Sequence, residues 1–215
     1  MRYLATLLLT MIFFIANAQT NLYENPEFDK IAKEHKKIAI LPFKAQVKLR
    51  KKQMREMTSE DLHKLELNEG KSIQTAMYSW FLKRKKRGKL KTIEVQDPNK
   101  TTALLRKNEI DQETLIEYTT EELAEILGVD AIISGDYKTD KPMSEGASAA
   151  LGILIGFWGS TNTATINMSV HNGIDGVLLW NYNKKVRGSL GSSPDDLINR
   201  LMRKASRRLS YTKKK

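Results

Sequence analysis

The chain has 215 residues, 40% of them apolar and 28% charged, with a formal net charge of +11. That balance favours one folded domain with a packed core and excludes wholesale disorder. The absence of cysteine excludes disulfides, thiolate metal sites, a cysteine nucleophile and a lipidated amino-terminal cysteine.

In chain order, Arg2 and the apolar run 4–15 precede Ala16-Asn17-Ala18. This is the pattern of a cleavable signal peptide over residues 1–18, and the run is too short for a comfortable membrane-spanning helix. Residues 19–36 form a polar N-terminal segment with a weak helical stripe at Phe28, Ile31 and Ala32, which predicts a short surface helix. One α/β domain is expected over 37–211. Its first element is a buried strand at 37–43, stopped by Pro42. Residues 45–52 fit an edge strand or a loop.

Thr58 or Ser59 caps a long helix, in which Ile73, Ala76, Met77, Trp80 and Phe81 share one face. Gly70 costs that helix about 1 kcal/mol relative to alanine and suggests close packing on a strand. Gly88 is the expected stop. A short strand at 92–95 follows, then short helical stretches near 100–108 and 112–118. A capped helix at 119–128 and a strand at 129–137 come next. The alternation of Ala164, Ile166, Met168 and Val170 with Thr165, Asn167 and Ser169 predicts a half-buried strand. A turn at 172–176 and a strand at 177–186 complete a β-hairpin. The last helix opens at Pro194, with Leu197, Ile198, Leu201, Met202, Ala205 and Leu209 as its apolar stripe. Residues 212–215 extend as a basic tail, which Tyr211 begins. The predicted fold is α/β: a mixed sheet with packed helices and a C-terminal hairpin followed by a helix.

Three stretches carry a resemblance. Ile38-Ala39-Ile40-Leu41-Pro42-Phe43 resembles the opening strand of the TolB amino-terminal domain and of the curli-secretion CsgG family. Leu127-Gly128-Val129-Asp130-Ala131-Ile132-Ile133-Ser134-Gly135 resembles their helix-to-strand junction, and the hairpin ending in Leu178-Leu179-Trp180 resembles their strand pair. The resemblance implies an α/β domain that works in the bacterial envelope by contact with other proteins, without a cofactor. No catalytic residue carries over, because these motifs concern packing and turns. The missing cysteine departs from the lipoprotein members of the group.

Two features compete for a functional role. Lys83, Arg84, Lys85, Lys86 and Arg87, with Lys89 and Lys91 beyond, form the densest charge cluster, and the last helix adds Arg203 and Arg207 beside Arg200, Lys204 and Arg208. The bland reading is a solvated helix end that offsets the helix dipole. The functional reading is contact with anionic lipid or an acidic partner, strengthened if the clusters share a face. Nucleic acid is the poorer partner for an exported protein. The second feature is residues 144–161, an uncharged Gly/Ala-rich insertion. There Leu151, Gly152, Ile155, Gly156, Phe157 and Trp158 offer a close-packing, self-association surface or an ordinary buried helix. His171 near Asp175 is a weak candidate pair.

The sequence therefore reads as an exported, non-catalytic protein of the periplasm or outer-membrane periphery. It would act through envelope proteins or its own copies, without metal or cofactor. The alternatives are a periplasmic hydrolase without a recognisable motif and a membrane-inserting oligomer using 146–159.

Overall fold

The computed structural model describes residues 20–48, 55, 57–91, 93–139, 163–187 and 194–212. The leader 1–18 and the segment holding Leu151, Gly152, Ile155, Gly156, Phe157 and Trp158 lie outside the described residues, as do the side chains of Leu197 and Ile198. In order come β1 (Thr20–Glu24), α1 (Phe28–Glu34), β2 (Lys37–Ile40), β3 (Lys44–Val47), α2 (Ser59–Lys86), β4 (Glu94–Val95), α3 (Pro98–Lys107), a 3-10 turn (Thr114–Glu117), α4 (Thr120–Leu127), β5 (Ala131–Thr139), β6 (Thr163–Asn172), β7 (Leu178–Arg187) and α5 (Pro194–Ala205).

The strands form one mixed sheet in the order β1-β7-β6-β5-β2-β4. β2 and β3 lie end to end along the same edge of β5, both parallel to it. Pro42 falls at the break between them, where an amide hydrogen is dispensable. Side chains and α2 satisfy the backbone groups freed there. Gln74 Nε2 donates to the Ile40 carbonyl, Gln112 Nε2 donates to that of Phe43, and the Phe43 amide donates to the Gly70 carbonyl.

Strand alternation feeds two cores. Ile38, Ile40, Ala131 and Ile133 point to one, with Phe28 of α1, Met77 and Phe81 of α2, and Leu201 of α5. Ala39, Leu41 and Ile132 point to the other, under α3 and α4. In β6, Ala164, Ile166, Met168 and Val170 are buried while the residues between them are half-buried, as the period of two requires. A β-carbon at Gly70 would stand 2.0 Å from the Phe43 carbonyl oxygen, so α2 crosses the chain there at a distance that tolerates glycine alone.

The junction motif has a physical reading. Gly128 ends α4 in the left-handed conformation at φ 63°. Two residues on, the Asp130 carboxylate accepts from the Lys36 and Lys37 amides at 2.7 and 2.8 Å. It thus fixes where β2 begins.

Three expectations change. Residues Thr20–Glu24 form a strand, antiparallel to β7, and the helix that follows buries Phe28 and Ala32 rather than lying on the surface. The last helix ends at Ala205, and Leu209 is buried from the turn beyond it. Tyr211 and Thr212 do not start a tail: both are buried, and Thr212 bridges to Leu90.

Candidate functional site

Helix α2 begins with a capping box, in which Thr58 and Asp61 satisfy each other's backbone amides. Its 28 residues carry the chain about 42 Å. At its far end Gly88 adopts φ 63° and turns the chain back, so that the Lys89 amide donates to the Arg84 carbonyl. The Lys91 amide then donates to the Tyr211 carbonyl. This stitching lays the end of α2 against α5 and the turn that follows it.

The result is a cleft of about 230 Å3 lined by Trp80, Lys83, Arg84, Arg87, Lys89, Arg203 and Arg207. The two basic clusters therefore share a face, although Arg84 and Arg203 stand 119 positions apart in sequence. Arg84 is half-buried and tethered: its Nε donates to Ser206 Oγ at 3.0 Å and its Nη2 to the Arg203 carbonyl at 3.4 Å. Burial, and then the charges of Arg207 and Arg87, hold the Arg84 guanidinium below its ordinary pKa. Trp80 is oriented by its Nε1 bond to Asn199 Oδ1, and Lys83 Nζ sits 4.6 Å over its ring. Among the described residues no carboxylate lines the cleft or pairs with its six cations.

The other predicted basic residues go elsewhere. Lys85 and Lys86 are exposed beside the cleft without lining it. Lys91 instead pairs with Asp29 at 3.3 Å, and Arg208 lies over the Tyr182 ring. Trp80 packs against the core, as its place in the apolar stripe predicts, and also lines the cleft, whereas the sequence did not single out Asn199 or Ser206. Their short polar side chains carry no local signal of what they hold.

A second concavity, of about 620 Å3, lies at the opposite end of α2 and includes His63, Glu66, Gln112, Glu113, Asp136 and Asn167 in its lining. His63 Nε2 meets Glu113 Oε1 at 3.5 Å, both well exposed, and the Glu66 carboxylate is engaged by the Val47 amide. Among the described residues no cluster of three or more histidines and carboxylates could hold a metal.

The histidines do not converge. Asp175 accepts from the Asn172 side chain and the Val177 amide instead of forming a pair with His171. Burial pushes the pKa of His171 down, partly opposed by Glu121. His35, which carried no signal in the sequence, is 4% exposed, with Nδ1 2.7 Å from the Tyr211 hydroxyl and Nε2 3.1 Å from Asn172 Oδ1.

No protein-family model and no curated protein matches this chain. Solved structures do. The lipoprotein GNA1162 of Neisseria meningitidis is 12% identical at a TM-score of 0.46, over 80% of this chain and 95% of that one. A PelC dodecamer from Paraburkholderia phytofirmans is 12% identical at 0.43, over 90% and 98%. The LpoB C-terminal domain from Salmonella enterica is 9% identical at 0.33, over 75% and 93%.

Proposed function

We propose that this chain is an exported, non-catalytic protein of the bacterial cell envelope, working in the periplasm or at the outer-membrane periphery. It acts through protein contacts, self-assembly among them, while a basic face holds it to anionic envelope components. One observation supports the anionic contact above others. Two clusters far apart in sequence are folded into one cleft with six cations and, among the described residues, no carboxylate. A solvated helix end would not require Arg84 to be bonded to Ser206 and Arg203. The signal-peptide pattern and the TolB/CsgG resemblance support the compartment. The segment with Leu151, Gly152, Ile155, Gly156, Phe157 and Trp158 supplies the self-association surface in this reading.

Replacing Lys83, Arg84, Lys85, Lys86 and Arg87 by glutamine is expected to move the protein from the envelope pellet to the soluble fraction at low salt. Unchanged fractionation removes the anionic contact. For self-assembly, cross-linking in the envelope should give oligomers that disappear on deletion of 146–159; monomer alone in the intact protein removes it.

The concavity around His63 favours a second reading, a periplasmic hydrolase. Among the described residues His63 is in polar contact with Glu113, and no serine or threonine hydroxyl is bonded to it as a nucleophile would be. Turnover of a chromogenic ester that His63→Ala abolishes would restore the hydrolase reading.

A further inference from the structure

The basic face is more structured than a membrane-attracted surface needs to be. Diffuse attraction to an anionic surface depends on net charge and spacing, and mobile lysines supply it as well as arginines do. Here four of the six cations in the cleft are arginines, the side chain whose planar fork matches phosphate oxygens. The one at the back, Arg84, is held in place by two hydrogen bonds, leaving its remaining donors to the cleft. Arg203 on α5 and Arg207 in the turn beyond it stand four positions apart, as do Lys83 near the end of α2 and Arg87 just past it, so two segments present cations from two sides. Like charges gathered in this way repel; burial first, and then the charges of Arg207 and Arg87, lower the pKa of Arg84. A bound anion with several acceptor oxygens relieves that repulsion.

We propose that this cleft binds a single phosphate group: Arg84 is the anchor, Arg87, Arg203 and Arg207 close around the oxygens, and Trp80 walls the side along which the rest of the ligand lies. The inference rests on the reading of this face as the anion-contacting side, and it sharpens that reading from a surface to a site. The phosphate belongs either to a lipid headgroup or to a soluble phosphate compound.

The test uses the full chain. Inorganic phosphate is titrated calorimetrically against acetate as a carboxylate control. In parallel, the protein is sedimented with phosphatidylcholine vesicles carrying either phosphatidic acid or a fatty-acid carboxylate of matched charge. The expected result is saturation at one phosphate per chain, and preference for phosphatidic acid if the source is lipid. Arg84→Lys, which keeps the charge but loses the fork, should weaken phosphate binding at least about tenfold. Arg207→Gln should weaken it comparably, and Lys86→Gln, which removes the same charge from the basic face outside the cleft, should weaken it no more than about twofold. Arg207 is exposed, so its variant keeps the test valid should Arg84→Lys fail to fold. Saturable phosphate binding without vesicle binding assigns a soluble source and supports the site. Equal responses to phosphate and carboxylate, or equal losses in Arg207→Gln and Lys86→Gln, overturn the site and leave the anionic-surface reading standing. Absence of both phosphate and vesicle binding overturns both.

Discussion

Two polar clusters gather around the C-terminal turn, and they are built on opposite principles. The first is closed. His35 takes the Tyr211 hydroxyl and the Asn172 side chain as partners, and Asn172 in turn donates to Asp175. His35, Tyr211 and Asn172 are buried. Burial and the charge of Asp130 push the Tyr211 hydroxyl above its ordinary pKa, so it stays protonated and able to donate. The second cluster is the basic cleft, open to solvent and without an internal counter-charge among the described residues. A polar network that satisfies itself fixes the fold. One that leaves its charges uncompensated keeps interaction energy in reserve for something that arrives later.

This contrast can be broken most forcefully at His35. His35→Ala leaves two buried partners unsatisfied and a void behind them, and is expected to lower unfolding stability by about 2–4 kcal/mol in urea melts. Tyr211→Phe removes a hydroxyl and orphans one ring nitrogen. It should lower stability by about 1–2 kcal/mol, and a double-mutant cycle with His35→Ala should show strong non-additivity. In the cleft the sign reverses. Arg207→Gln should leave stability within about 0.5 kcal/mol of the parent or raise it slightly. Added salt should stabilise the parent more than the variant, because screening relieves what the substitution has already removed. The smallest effect concerns His171. Its folded pKa lies below the ordinary 6.5, so the unfolded chain takes up the proton first. Its contribution to stability is therefore complete above about pH 6.5 and declines as acidification passes down through the folded-state value. A melting series from neutral to mildly acidic pH should be shallower in His171→Gln. An equal slope in the two proteins would exclude this residue as the cause.

The parts legible in the sequence were those whose signal is local. The hairpin of β6 and β7 showed itself through alternation, α4 through its capping box and Gly128, and the reason for Gly70 through its place in an otherwise strong helix. Strand β1 gave no such signal: Thr20–Glu24 is a short edge strand whose Leu22 and Tyr23 stay about half exposed, so it lacks a buried alternating face. Tyr211 lies between a run of arginines and three lysines, and nearby composition gave no hint of its burial. For the cleft, the individual cations were visible, but their meeting was not. It depends on Gly88 reversing the chain and on the bridge between Leu90 and Thr212, both of which concern where distant segments are brought rather than what they contain. Lys91 shows the limit, since its neighbours assign it to the cluster and the fold gives it to Asp29.

The contact between His35 and Tyr211 joins positions 176 apart in sequence, and this has a consequence for how the domain comes into being. The first buried helix, with Phe28 edge-on to the Tyr211 ring at 5.4 Å, lacks this part of its cover until residue 211 has been made. A chain shorter than that can pair Thr20–Glu24 with β7 but lacks the Tyr211 contacts to Phe28 and His35. Loop closure over such a span is slow compared with local helix and hairpin formation, so the domain locks late, as a whole, after its pieces are already in hand.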